Sequence, residues 1–271
     1  MRAIVLFALC ILFLLPLYFL IVGSFTPMVG IMKMPPRFIP AKPTLENYDK
    51  FMQYGGLLLR WLANSAIATI ISIGLNIIIM GAAAYALALY RLKPLKYIYF
   101  VFAATMMVSR YSTIIPLFVL ARIYQLRGLV AVIATSIFIP GSFFLMHDFM
   151  KKIPRDFVDS ARIDGAGEVR ILLRIMLPLC KPVVGVVVAI FAGAIYSDFM
   201  WQRLLLQGEE QMTFVVGIMT RLYILSTQGG YIHNYGVEMA SGVLILLPMV
   251  AIFLWSNRYF IGGLTLGGIK E

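Results

Sequence analysis

The run Leu62–Tyr90, LANSAIATIISIGLNIIIMGAAAYALALY, contains no charged side chain. A bilayer core takes about 20 consecutive apolar residues of helix, so this stretch is long enough to cross a membrane, with length to spare for tilt or an extension. On its N-terminal side, Ala3–Phe25 is a second such run. Only Arg2 precedes that run and no small-x-small cleavage site follows it. It also exceeds the roughly 7–15 apolar residues of a signal peptide, so a retained first span is expected. Beyond Tyr90 the runs Tyr97–Leu120, Leu129–Phe149, Val183–Met200 and Val237–Ile261 are each long enough to cross once. The expected fold class is all-α, a polytopic transmembrane helix bundle of about six spans.

Composition leads to the same conclusion independently. The chain is 61% hydrophobic and 13% charged, where a soluble domain carries roughly 45–50% apolar and about 25% charged residues. A chain of 271 residues cannot hide that much apolar surface in one core, and the excess must face lipid. The net charge of +11 sits in short loops between apolar runs, which points to anionic headgroups and topology signals and away from nucleic acid. Cys10 and Cys180 suggest neither a disulfide framework nor a metal site, and two histidines offer no ligand cluster.

With the N-terminus in the cytoplasm, the inner segments hold thirteen Lys and Arg against nine on the longer outer segments. That bias orients the chain with both termini inside. Outer loops are expected at about 26–60 and 202–236, and a cytoplasmic tail at about 262–271. The segment at about 150–182 is different in kind. Val158, Ala161, Val169 and Leu172 recur at near-helical spacing among charges, and Asp164-Gly165 supplies a turn between two short helices. Pro178 and Pro182 bound the start of the fifth span. Such a structured inner loop is expected to dock a partner.

That loop reads Asp159-Ser160-Ala161-Arg162-Ile163-Asp164-Gly165-Ala166, then five residues, then Leu172, Ile175 and Leu177-Pro178. It resembles the signature of the membrane subunits of ABC importers, Glu-Ala-Ala-x-x-Asp-Gly-Ala, a five-residue gap and Phe-x-x-Ile-x-Leu-Pro. Asp159, Ser160 and Leu172 depart from the pattern. Phe38-Ile39-Pro40 with Pro43 to Tyr48, Ala84 to Ala88, Ile153-Pro154 and the tail Phe260 to Lys270 resemble the carbohydrate-uptake, maltose-type branch. The resemblance implies a type I importer membrane-domain fold with a cytoplasmic coupling helix. It also implies a second, homologous permease subunit, two ABC ATPases and an extracytoplasmic binding protein in a prokaryotic inner membrane. No Gly-x-x-x-x-Gly-Lys-Ser/Thr phosphate loop occurs, so this chain is expected to be a non-catalytic subunit that binds no cofactor, with ATP and Mg on the partner ATPase.

Under the resemblance, Val158, Asp159, Ser160, Ala161, Asp164, Gly165 and Ala166 form the ATPase-coupling element. Asp159 stands where the family has a glutamate facing the ATPase, or it is an ordinary first-turn carboxylate complementing the helix dipole. Asp164 and Gly165 shape the turn. Val158, Ala161 and Ala166 let the loop helix seat in the ATPase cleft, or pack on the chain's own helix ends.

The expected substrate pathway is Arg110, Tyr111, Tyr196 and Asp198. Arg110 falls near the middle of the third span, where a charge costs roughly 2.5–3.5 kcal/mol on insertion scales and marks a pathway or a partner. It suits an anionic substrate, or it forms a structural pair with Asp198 or with the partner subunit. Trp201 is read as an interfacial belt residue, and Met106 and Met107 as core or lipid-facing filler. The tail reaches between the ATPases, as in the maltose type, or is a disordered end. The expected function is ATP-driven uptake of a carbohydrate, an oligosaccharide with acidic groups if Arg110 meets it. Alternatives are an ABC importer for a phosphorylated polyol, amino acid or peptide, or a secondary transporter.

Overall fold

A computed structural model describes residues 2–31, 39–40, 42–53, 55–90, 93–227 and 234–265, with the backbone path alone at 2, 3, 29, 93, 225–227 and 257–265. Lys33, Arg37, Phe38, Arg91 and the tail from Leu266 through Lys270 lie outside the described residues. The described chain is helical and contains no strand. In order it forms α1 Arg2–Ser24, α2 Met28–Ile31, α3 Glu46–Met52, α4 Gly55–Leu89 and α5 Lys93–Met107, then a 3-10 turn at Arg110–Thr113. There follow α6 Ile114–Ile123, α7 Gly128–Ser136, α8 Pro140–Met150, α9 Asp156–Ile163 and α10 Glu168–Ile171. A π turn at Leu172–Met176 leads to α11 Leu177–Leu179, α12 Lys181–Tyr196, α13 Phe199–Leu205, α14 Phe214–Thr227 and α15 Tyr235–Thr265.

Three helices are long and apolar enough to cross a membrane unbroken: Ile4–Ser24, Gly55–Leu89 and Tyr235–Ser256. Three bent helix pairs pass the same test of length and composition together, and six is reached if each pair is one span. α5 and α6 bend by 99°, α7 and α8 by 43°, and the α10–α11 segment and α12 by 79°. The expected third and fifth spans are not the straight rods that hydropathy suggests, since Tyr97–Leu120 breaks at Val108-Ser109 and Val183–Met200 at Ser197-Asp198. The segment 202–236, expected as an outer loop, is largely helical, because α14 occupies Phe214–Thr227. At 14 residues it is too short to cross on its own.

The chain divides into two compact units. The first, residues 1–64 and 208–250, is tied by polar side chains reaching loop carbonyls. Asn47 Nδ2 donates to Ser24 O and Thr26 O at 2.9 and 3.0 Å, and the buried Trp61 donates through Nε1 to Glu209 O at 2.6 Å. Asn64 Nδ2 donates to Glu210 O and Met212 O, each at 2.9 Å. Side chains of α1 from Ile4 to Leu17 are exposed, as a helix sheathed in lipid requires.

The second unit, residues 65–207 and 251–271, holds the larger core. Ile73, Met80 and Ala84 of α4, Phe143, Met146 and Met150 of α8, and Val183 and Val187 of α12 are buried together. A Cβ on Gly81 would meet Met146 Cε at 2.9 Å and Leu177 Cδ2 at 3.2 Å, so the missing side chain lets α4 lie close to its neighbours. Asn76 Nδ2 donates to Ile137 O at 2.6 Å, satisfying a carbonyl freed at the α7–α8 bend.

Candidate functional site

The loop after α8 is built around α9. Asp156 and Asp159 lie in its first turn, where carboxylates complement the helix dipole. Its C-terminus closes with Ala166 N–H donating to Ala161 O at 2.9 Å and Gly165 N–H to Arg162 O at 3.0 Å. This 6→1 and 5→2 pair is the Schellman motif, which needs a left-handed residue just past the helix. Gly165 supplies it at φ +78°. Asp164-Gly165 is a turn, as the sequence suggests.

Beyond the turn, α10 runs into the π turn, where Leu177 N–H donates to Leu172 O. Pro178 has no N–H to give the Arg174 carbonyl, and a wide turn one residue earlier accommodates that gap.

One face of α9 belongs to the chain itself. Val158 is 1% and Ala161 8% exposed, both in the core with Ile171, Leu172 and Met176. Of the two readings of these residues, packing on the chain's own helix ends is the one seen here. Ala166 is half-buried against the same core. The opposite face carries exposed Asp159, Ser160 and Ile163, the last 87% exposed, and Phe157 stands half-exposed at the edge of the buried face. Val169 of α10 is exposed as well.

Arg162 fastens the loop to the end of α4. Its Nε donates to Glu168 Oε1 at 2.9 Å, its Nη2 to the Tyr90 hydroxyl at 3.2 Å, and its Nη1 to Asp159 Oδ1 at 3.4 Å. The guanidinium also lies 5.7 Å from the Tyr90 ring centroid. Glu168 uses its second oxygen, Oε2, to accept from the Tyr85 hydroxyl at 2.5 Å. The bonds from Arg162 and then Tyr85 hold the Glu168 carboxyl below the usual glutamate range, and the bond to Glu168 raises the Arg162 guanidinium. Arg162 and Glu168 thereby bridge α9 and α10 to Tyr85 and Tyr90 at the end of α4.

A second constellation lies at two helix breaks. Ser109 is extended and starts the turn holding Arg110, while Asp198 stands between α12 and α13. Arg110 Nη2 meets Asp198 Oδ2 at 2.5 Å. Asp198 Oδ1 accepts from Trp201 N–H at 3.4 Å, capping α13. The Asp198 side chain is 14% exposed and that of Arg110 52%, so the pair is open on the arginine side. Of the expected pathway residues, the structure joins Arg110 and Asp198. Tyr111 is exposed and Tyr196 is buried. Trp201 is not a belt residue: it is 2% exposed, and its Nε1 donates to Thr135 Oγ1 at 2.7 Å, so its polar edge is satisfied inside the unit. Met106 and Met107 are exposed on α5.

A helical loop braced on an apolar core and paired charges at broken spans suit a membrane component of a transporter. Residues 77–265 match the family described as "Binding-protein-dependent transport system inner membrane component". The chain belongs to that family. This inner membrane component is 30% identical over 265 residues to the arabinooligosaccharides transport system permease protein AraQ of Bacillus subtilis (strain 168), covering 97% of this chain and 92% of AraQ. It is 31% identical over 265 residues to the galactooligosaccharides transport system permease protein GanQ of the same organism, covering 94% and 89%. In fold it is similar to a chain of a bacterial ABC transporter involved in the import of the acidic polysaccharide alginate, with TM-score 0.80 and 22% identity over 96% of this chain and 95% of that one. The permease is a multi-pass inner-membrane protein with the all-α fold of importer permeases.

Sequence reasoning did not single out Glu168, Arg162, Tyr85 or Tyr90 as a functional set. The available signal was a carboxylate and an arginine flanking the Asp-Gly turn, with tyrosines at the end of an otherwise uncharged span. Their pairing across 83 and 72 positions is visible only in three dimensions.

Proposed function

We propose that this permease forms one half of the translocation pathway of an ATP-driven importer for carbohydrate chains, with acidic oligosaccharides as the substrate class. The other half is a homologous permease, energy comes from two ATPase chains that hold ATP and Mg, and an extracytoplasmic binding protein delivers the sugar. The segment 150–182 and both termini face the cytoplasm. Phe157, Asp159, Ser160 and Ile163 contact the ATPase, and the Schellman turn at Gly165 sets their direction.

The observation that carries the proposal is the two-sidedness of α9. Its inner face is built into the permease core, while Phe157 and Ile163 leave apolar surface in water on a charged loop. A helix so braced moves only with the spans behind it, so closure of a docked ATPase drives a rigid-body switch between pathway states. Carbohydrate as the solute is supported by the oligosaccharide permeases this chain resembles. The open side of Arg110 supports acidic sugar, since a guanidinium takes a carboxylate in bidentate geometry.

The test is reconstitution with partner permease, ATPases and binding protein in proteoliposomes. Phe157→Asp with Ile163→Asp is expected to abolish binding-protein-stimulated ATP hydrolysis and sugar uptake while the permease pair still assembles. Full stimulation and uptake by that variant would remove the coupling assignment.

A further inference from the structure

The second unit contains a cleft of about 840 Å³ where the end of α4, the start of α5 and the end of α8 meet, with Ile153 and Arg155 leading on toward α9. Its lining is amphipathic. Leu87, Leu95, Phe100 and Met150 make it apolar, while Lys96, Lys151 and Arg155 are exposed along it. Against these three cations the lining carries a single carboxylate, Asp148, and that group lies 3.0 Å from Nδ1 of the buried His147. Electrostatically the cleft suits an anion, and at about 840 Å³ it is far larger than a small one needs.

Its place in the chain narrows the occupant. No charge occurs along α4 from Trp61 to Tyr90, and Lys93, Lys96, Lys151, Lys152 and Arg155 then follow within the next turns of α5 and the α8–α9 connection. The cleft straddles the level at which uncharged helix gives way to dense cations, and that is the level of lipid phosphates.

We propose that this cleft binds an anionic glycerophospholipid, with the phosphate among Lys96, Lys151 and Arg155 and an acyl chain along Leu87, Leu95 and Phe100. Basic pockets between membrane helices on the cytoplasmic side hold anionic headgroups in this manner. The assignment rests on the reading that the segment 150–182 faces the cytoplasm. Tyr90 lines the same cleft, and its hydroxyl accepts from Arg162 at 3.2 Å. A bound lipid therefore lies one side chain away from the bridge that fastens the coupling loop to α4, and its occupancy stiffens that fastening.

The complete transporter, held in phosphatidylcholine nanodiscs and titrated with phosphatidylglycerol, tests this by native mass spectrometry. The wild type is expected to retain phosphatidylglycerol in preference to phosphatidylcholine. Lys96→Gln with Lys151→Gln is expected to weaken that retention by roughly fivefold per lysine removed, with excess inorganic phosphate failing to displace the lipid. Unchanged retention by the variant, or equal retention of the two lipids, overturns the proposal. Displacement by inorganic phosphate makes the cleft a small-anion site and overturns it too. A photocrosslinker at Leu95 that captures an ATPase chain in place of lipid overturns it as well, by making the cleft a protein contact. Sidedness is read separately, from labelling of Lys151→Cys by a membrane-impermeant thiol reagent in right-side-out vesicles. Labelling from outside would reject the orientation, while the titration would still decide what the cleft binds.

Discussion

The Tyr85 hydroxyl donates a 2.5 Å hydrogen bond to Glu168 Oε2, joining the last turns of α4 to the first residue of α10. Tyr85 is 5% exposed, so its hydroxyl has almost no water to turn to, and a buried hydroxyl without a partner is costly. Tyr85→Phe removes the donor and leaves Glu168 its bond from Arg162. A net loss of about 1.5–3 kcal/mol is expected, the range of a single hydrogen bond to a charged group. The variant should fold, unfold at a lower temperature in detergent, and show a smaller ratio of stimulated to unstimulated ATP hydrolysis. An unchanged ratio would mean that the bridge stabilises the loop without steering it.

The same bridge sets a pH dependence. Because Glu168 is held below the usual glutamate range by Arg162 and Tyr85, its folded form binds a proton less readily than the unfolded chain does. The carboxylate's contribution is therefore complete above the ordinary glutamate range. It is lost as pH falls through the depressed folded value. The side chain is 45% exposed, so solvent screening keeps the effect small. Wild-type unfolding temperature should decline on acidification below the glutamate range more steeply than that of Glu168→Gln, with the two curves converging at the acid end. Parallel curves would assign the acid sensitivity to another group.

Gly165 is the backbone element of the loop. Nothing lies within 4 Å of where its Cβ would be, so a side chain there meets no clash and the cost of Gly165→Ala is the positive φ alone. That cost is about 1 kcal/mol, with Gly165→Asn losing less because asparagine tolerates the left-handed region. Thermal unfolding should rank the three glycine, asparagine, alanine. The Ala166-to-Ala161 closure fixes where α10 starts, so stimulated ATP hydrolysis should follow the same order.

The polytopic helix bundle was legible because a bilayer forces about 20 apolar residues into each crossing, and the loop turn was legible because left-handed backbone calls for glycine. The break in the third span was not. Met107 to Ser112 contains no glycine or proline, the residues that ordinarily announce such a bend. It shows only as Ser109 in extended backbone before Arg110. Helix α14 was missed for the opposite reason, since its apolar run stops short of a crossing and resembles the loop around it. Trp201 has the sequence neighbourhood of a belt residue, and its burial depends on Thr135, 66 positions away. Of the two readings of Arg110, the pair with Asp198 is the one the structure realises.

That pair leads to the substrate. Asp198 divides its carboxylate, one oxygen on Arg110 and one on the Trp201 N–H. Asn caps a helix about as well as Asp, so Asp198→Asn keeps the start of α13 while weakening the hold on the guanidinium. An acidic sugar must compete with Asp198 for Arg110, and a freed guanidinium should take up uronate-bearing oligosaccharide faster. Arg110→Gln should do the reverse. Losing one charge-assisted hydrogen bond should lower uptake of the acidic sugar roughly tenfold, with a neutral oligosaccharide of the same length little affected. Uptake of both sugars by both variants, measured side by side in proteoliposomes, decides the matter. If acidic and neutral uptake change in parallel, the pair only holds two broken helices together and the substrate is not selected by charge at Arg110.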